Sequence, residues 1–187
     1  ITFRKPADWE TQLAELKTIL PEHNGIILDL RLNDVPYEDN KYAQYRGSTV
    51  AQELRTLAKE GEFKNDFPII LISANDNLQK SLDQTSLDLF DFCVSKNRLE
   101  QVNGISYAYF RSKLKWLADG YSYLNASEKT INKILGIQNL DFLDVRFLEI
   151  LNTFLEKPVH SIVKFLTREV IARPGMLIDE NYLSARL

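Results

Sequence analysis

Short, unbroken apolar runs alternate with longer stretches in which apolar residues recur every three or four positions, and this rhythm holds through about the first 100 residues. Runs apolar throughout predict strands buried on both faces, and the longer stretches predict helices that cover them, so the pattern reads as an α/β unit with a parallel sheet. The predicted strands are Ile1 to Phe3, Gly25 to Leu30 (GIILDL), Pro68 to Ser73 (PIILIS) and Phe92 to Ser95 (FCVS). Asp8 is placed to cap a helix that runs to about Leu20 with Trp9, Leu13, Leu16 and Leu20 on one face. Ser48 is placed to cap a second helix, carrying Val50, Leu54 and Leu57 and stopping near Gly61. A third, from Asn77 to Leu89, has its periodicity diluted by Ser, Asp, Gln and Thr.

From about Arg98 onward the strand signal stops and helical patterning takes over, which divides the chain into 1–100 and a helical module over 101–187. The module's segments run from Ile105 to Leu124, Ser127 to Leu135, Asp141 to Leu155 and Pro158 to Ala172. Ser127 suits an N-cap, Gly136 a helix stop, and Pro158 a first helical turn. Tyr107, Tyr109, Phe110, Trp116, Tyr121 and Tyr123 crowd one stretch; core packing is the expected role, with a partner surface as the alternative. After the breaker Arg173-Pro-Gly, Asp179 caps a last helix with Tyr182, Leu183 and Leu187, and the chain stops inside it, which leads us to expect more protein beyond.

Composition narrows the function classes. Apolar residues at 44% and charged residues at 26% are values of a folded globular chain rather than a disordered one. A net charge of −3 with the two signs interleaved offers no cationic face for a nucleic-acid backbone, so no nucleic acid is expected as a partner. Cys93 is the single cysteine, which rules out an internal disulfide; in an apolar run it reads as a buried, inert thiol. No apolar run is long enough to cross a membrane and no signal peptide is visible, so the expected location is cytoplasmic, although the chain opens without Met. His23 and His160 lack ligand spacing, and no glycine-rich phosphate loop or nucleophile elbow is present, so no metabolic enzyme class is supported. A hydrolase using Asp29 as nucleophile would need a general base that the sequence does not offer.

The candidate chemistry lies where an open parallel sheet places its ligands, at the carboxyl ends of the strands. Asp29 closes GIILD, Ser73 closes PIILIS, and Lys96 follows FCVS. A carboxylate, a hydroxyl and an ammonium on one rim form a set able to accept a phosphoryl group. The carboxylate attacks phosphorus, and the other two bind the oxygens on which charge accumulates. Adding about two negative charges at Asp29 would draw Ser73 and Lys96 inward and move their strand ends.

In order and in kind these segments resemble the receiver (CheY-like) domains of response regulators. ILDLRLND resembles the phosphoacceptor strand and its following loop, and YRGSTVAQELRTL the glycine and helix after it. FPIILISA resembles the strand ending in Ser or Thr plus Ala, and LDLFDFCVSK the final strand with its lysine. The resemblance implies a flavodoxin-like parallel sheet with helices on both faces, part of a bacterial two-component phosphorelay. It implies that Asp29 is the phosphoacceptor, Ser73 the switch hydroxyl and Lys96 the phosphate-contacting lysine, with Asp29 and the Arg31 backbone carbonyl on Mg²⁺. The implied partner is a histidine kinase or another signalling protein; a homodimer fits too, and no membrane is involved. With its helical extension, the chain also resembles receiver-like domains of large bacterial proteins linked to phage defence and other conflict systems.

The departures are as specific as the matches. Only one helix separates Ile1 from Asp29, so ITF resembles the second strand of a receiver. The first strand, whose paired acids hold the metal, is not found, and Asp8 and Asp34 are poor substitutes. The stretch Val35 to Arg46 lengthens the loop over the site, as a lid or as a solvated insertion, and Asn97 stands where the family has proline. A second reading therefore stays open: a pseudo-receiver that has kept the fold, lost phosphorylation and acts as a protein-interaction module.

Overall fold

The computed structural model describes residues 2–34, 36–74, 82–101, 104–126 and 128–171, and the chain divides into two compact units, 1–125 and 126–187. In the first unit, β1 (Ile26–Asp29), β4 (Ile69–Ser73) and β5 (Phe92–Ser95) form a parallel sheet in the order β1-β4-β5. Leu28 pairs with Leu71, and Leu71 with Cys93. Two short strands, β2 (Pro36–Glu38) and β3 (Lys41–Tyr42), make a separate antiparallel hairpin. The helices of this unit are α1 (Trp9–Ile19), α2 (Gly47–Glu60), α3 (Gln84–Leu87) and α4 (Tyr107–Ala126), the last ending at the boundary.

Both faces of the sheet are covered, as the continuous apolar runs require. Because side chains alternate along a strand, Leu28, Ile69 and Leu71 turn to one face, where they pack with Leu16 and Leu20 of the α1 region and Val50, Leu54 and Leu57 of α2. Ile70 and Val94 turn to the other, against Phe110 and Leu117 of α4, with Ile27, Ile72 and Phe92 at the margin. Leu54 and Leu71 are wholly buried, and each such side chain contributes about 1.5–3 kcal/mol.

Several expectations are corrected here. Thr2 and Phe3 are not in a strand, and the Phe3 ring is 84% exposed; Ile1 lies outside the described residues. Among the described residues β1 is an edge strand, and Phe3 has no strand partner and lies outside the core. The N-cap of α2 is Arg46 rather than Ser48, and Gly47 opens the helix. Of the third predicted helix, 75–81 lie outside the described residues and α3 holds only Gln84–Leu87, capped by Asp83. The stretch 36–46 is neither all lid nor all solvated: Ala43 and Tyr45 are buried, and Tyr45 Oη donates to Ala7 O at 2.8 Å. Trp9 packs edge-on to Tyr45 with ring centroids 5.1 Å apart.

The switch from strands to helices does fall near Arg98, but the packing boundary lies between Asn125 and Ala126, because α4 covers a face of the sheet. The aromatic-rich stretch is split along α4. Phe110 and Tyr121 enter the core as expected, whereas Tyr107, Tyr109, Trp116 and Tyr123 are 48–62% exposed.

The second unit is helical over its described residues: α5 (Ile131–Leu135), α6 (Val145–Asn152) and α7 (Val159–Phe165), with a π-helical continuation over Leu166–Ile171. Thr130 and Asp144 supply the N-caps, and Gly136 ends α5 in the left-handed conformation as its position predicts. Ser127 and the whole tail from Ala172 lie outside the described residues. Leu151 and Ile162 are fully buried, and Phe165 stacks on Phe154 at 4.6 Å.

Candidate functional site

The carboxyl ends of β1, β4 and β5 share one rim of the sheet, since Asp29 is in register with Ile72, and Ser73 with Ser95. Lys96, the residue after β5, reaches across the end of β4 to Asp29, with Nζ 2.5 Å from Oδ2. The other carboxylate oxygen accepts from the Arg31 backbone N–H at 3.3 Å. The Asp29 side chain is 36% exposed and that of Lys96 44% exposed, so the pair stands at the surface, open to a reactant.

Ser73 is placed differently. It closes β4 beside the pair but is 1% exposed, and strand alternation turns it, with Ser95, toward the α1 and α2 face, opposite to the face of Asp29 and Ile72. Ser95 Oγ accepts from Asn97 N, and Asn97 Nδ2 donates to Ala74 O at 2.7 Å, so the turn Lys96–Arg98 is tied to the end of β4.

Gly47 fixes α2 to the same rim. Its N–H donates to Leu30 O, and a Cβ there would stand 2.2 Å from the Asp29 carbonyl oxygen. Only glycine allows so close an approach. Beside it opens a cleft of about 370 Å³ lined by Leu30, Arg31, Asn33, Asp34 and Arg46.

Mg²⁺ would find few ligands here. The Arg31 carbonyl already accepts from Asp34 N at 3.4 Å, and Asp34 is paired with the Arg31 guanidinium. No group of three acidic, His or Cys side chains able to hold a metal occurs among the described residues. Asp29 with one carbonyl is fewer donors than the ion requires.

At the opposite rim lies a cluster that the sequence reading missed. Arg55 of α2 reaches Asp66 at 3.0 Å and Asp91 at 2.8 Å, and its guanidinium also donates to the carbonyls of Phe67 and Leu89. Asp91, 1% exposed, accepts from Ile69 N and from Tyr121 Oη at 2.7 Å. Asn125 exchanges two hydrogen bonds with the Asp66 backbone. Burial opposes the Arg55 charge, but Tyr121, Asp91 and Asp66 outweigh it and raise the pKa. Burial, then Asp91, drives the Tyr121 phenol well above its usual range. The signal was legible in Asp91, an acid inside the apolar run LFDF, and in Arg55 on the apolar face of its helix. Each needs a partner once buried.

Cys93 is partly buried on the α1 and α2 face of the sheet, and burial, with Asp91 nearby, pushes its thiol up to about 11. Among the described residues no helix is long and apolar enough to cross a membrane. Compared with known proteins, the chain matches no family model, no curated protein and no solved structure.

Proposed function

We propose that the first unit is a flavodoxin-like receiver domain of a two-component phosphorelay, with Asp29 as phosphoacceptor, and that the helical unit serves output or assembly. The contact between Lys96 and Asp29 across the end of β4 carries this reading. In the step proposed, an Asp29 carboxylate oxygen attacks the phosphorus of a phosphohistidine on a histidine kinase, or of a small acyl phosphate. The bond from phosphorus to the donor breaks, and the leaving group takes the electron pair. Lys96 then exchanges its carboxylate partner for a phosphoryl oxygen, and Ser73 turns from the far face to a second oxygen, pulling on the ends of β4 and β5.

A phosphorylation-independent interaction module is the second reading. One observation favours it: the Ser73 hydroxyl faces away from Asp29. Incubation with acetyl phosphate and Mg²⁺, followed by intact-mass measurement, decides between them. One added phosphoryl group on the wild type and none on Asp29→Asn supports the receiver; no uptake by either sinks it.

A further inference from the structure

Three of the four exposed aromatics of α4 lie in line, Tyr107 being the exception on the other side of the helix. Tyr109, Trp116 and Tyr123 are spaced seven apart, which sets them in one row along the helix, 48%, 62% and 51% exposed. The buried row of the same helix is Phe110, Leu117, Tyr121 and Leu124, so the exposed row is a second apolar stripe on a helix whose first stripe already covers the sheet. Three large rings in line are more apolar surface than single exposed residues account for.

We propose that this stripe is the interface between two copies of the chain, packed antiparallel through α4. The stripe is complementary to itself. Gly120 lies on the same side as Trp116, one turn further on, and where its Cβ would be there is nothing within 4 Å. A two-fold axis crossing the seam midway between the levels of Trp116 and Gly120 sets Trp116 of each copy opposite Gly120 of the other, a knob facing a notch. The same axis sets Lys113 opposite Tyr123, where the ammonium can lie on the ring. The flank is complementary in charge as well: Lys115 and Asp119, paired within one helix at 2.5 Å, each come within about a turn of the opposite charge on the second copy. An isologous contact of this kind buries aromatic anchors at its centre and leaves charges on the rim, the usual anatomy of a homodimer.

The test is sedimentation equilibrium of the 187-residue chain over a range of concentrations, for the wild type, Trp116→Ala and Gly120→Leu. The wild type is expected to be a dimer, with each substitution weakening association by about tenfold or more. Gly120→Leu is the informative variant, since it improves helix propensity and adds apolar surface. It weakens the dimer only if the notch is filled by the other copy, and far-ultraviolet circular dichroism checks that both variants stay folded. A wild type that is monomeric throughout, or a dimer indifferent to both substitutions, overturns the proposal.

Discussion

Lys96 Nζ and Asp29 Oδ2 are 2.5 Å apart, which ties the last strand of the sheet to the first across the end of the strand between them. Removing the lysine separates its two possible contributions. The side chains are more than a third exposed, so Lys96→Ala costs only about 0–1 kcal/mol in denaturant unfolding. Its effect on phosphate uptake at Asp29 is expected to be far larger, at least about tenfold in rate, read by intact mass over time.

Gly47→Ala brings a methyl group onto the Asp29 carbonyl oxygen. Overpacking against backbone predicts a loss of about 1–3 kcal/mol, and the shift of α2 falls on the residue that carries the candidate chemistry. Chemical denaturation of this variant against Gly61→Ala separates overpacking from backbone strain, since Gly61 pairs a positive φ with open space whereas Gly47 has no positive φ.

Arg55→Ala leaves Asp66 and Asp91 without their shared cation, and an uncompensated buried charge predicts a loss of about 3–5 kcal/mol. Tyr121→Phe removes one hydrogen bond to Asp91 and predicts about 1–3 kcal/mol. Because the two residues share Asp91, the double variant is expected to lose less than the sum, which a double-mutant cycle measures.

Cys93 makes stability depend on alkaline pH. Its folded value of about 11 lies above the reference value of 9.0, so between those values the unfolded chain releases the proton first. Ionisation then favours unfolding, and stability falls by roughly 1–3 kcal/mol across the window. Cys93→Ala should flatten that part of the stability profile, and the native thiol should resist alkylation at neutral pH.

Much of the sheet was legible because each strand core is an apolar run bounded by breakers. GIILDL and PIILIS gave their strands to within a residue, and FCVS gave its own. Thr2 and Phe3 failed to form a strand for a reason outside themselves, since apolar or β-branched residues become a strand only beside a partner. Helix starts were read less well. Ser48 offered a better cap than Arg46, yet the close approach of Gly47 to Asp29 fixed where α2 begins, and that is a tertiary fact. At the rim, the order of strands foretold that Asp29 and Lys96 would meet. The burial and facing of Ser73 depend on register, which one sequence does not reveal. On α4, the buried and exposed aromatics obey the same helical period, so the choice of inward face fell to the sheet.

The Arg55 cluster also sets how the sheet can move. It grips the amino ends of β4 and β5, together with the Tyr121 turn of α4, while a surface ion pair links the carboxyl end of β1 to the residue after β5. β4 and β5 are thus anchored at their roots by buried charge, and their tips are held by strand pairing and by the bond from Asn97 to Ala74 O. Asp29 is thus joined through Lys96 to the Lys96–Arg98 turn, and Glu100, which accepts from Tyr107 N, joins the segment after that turn to the first turn of α4.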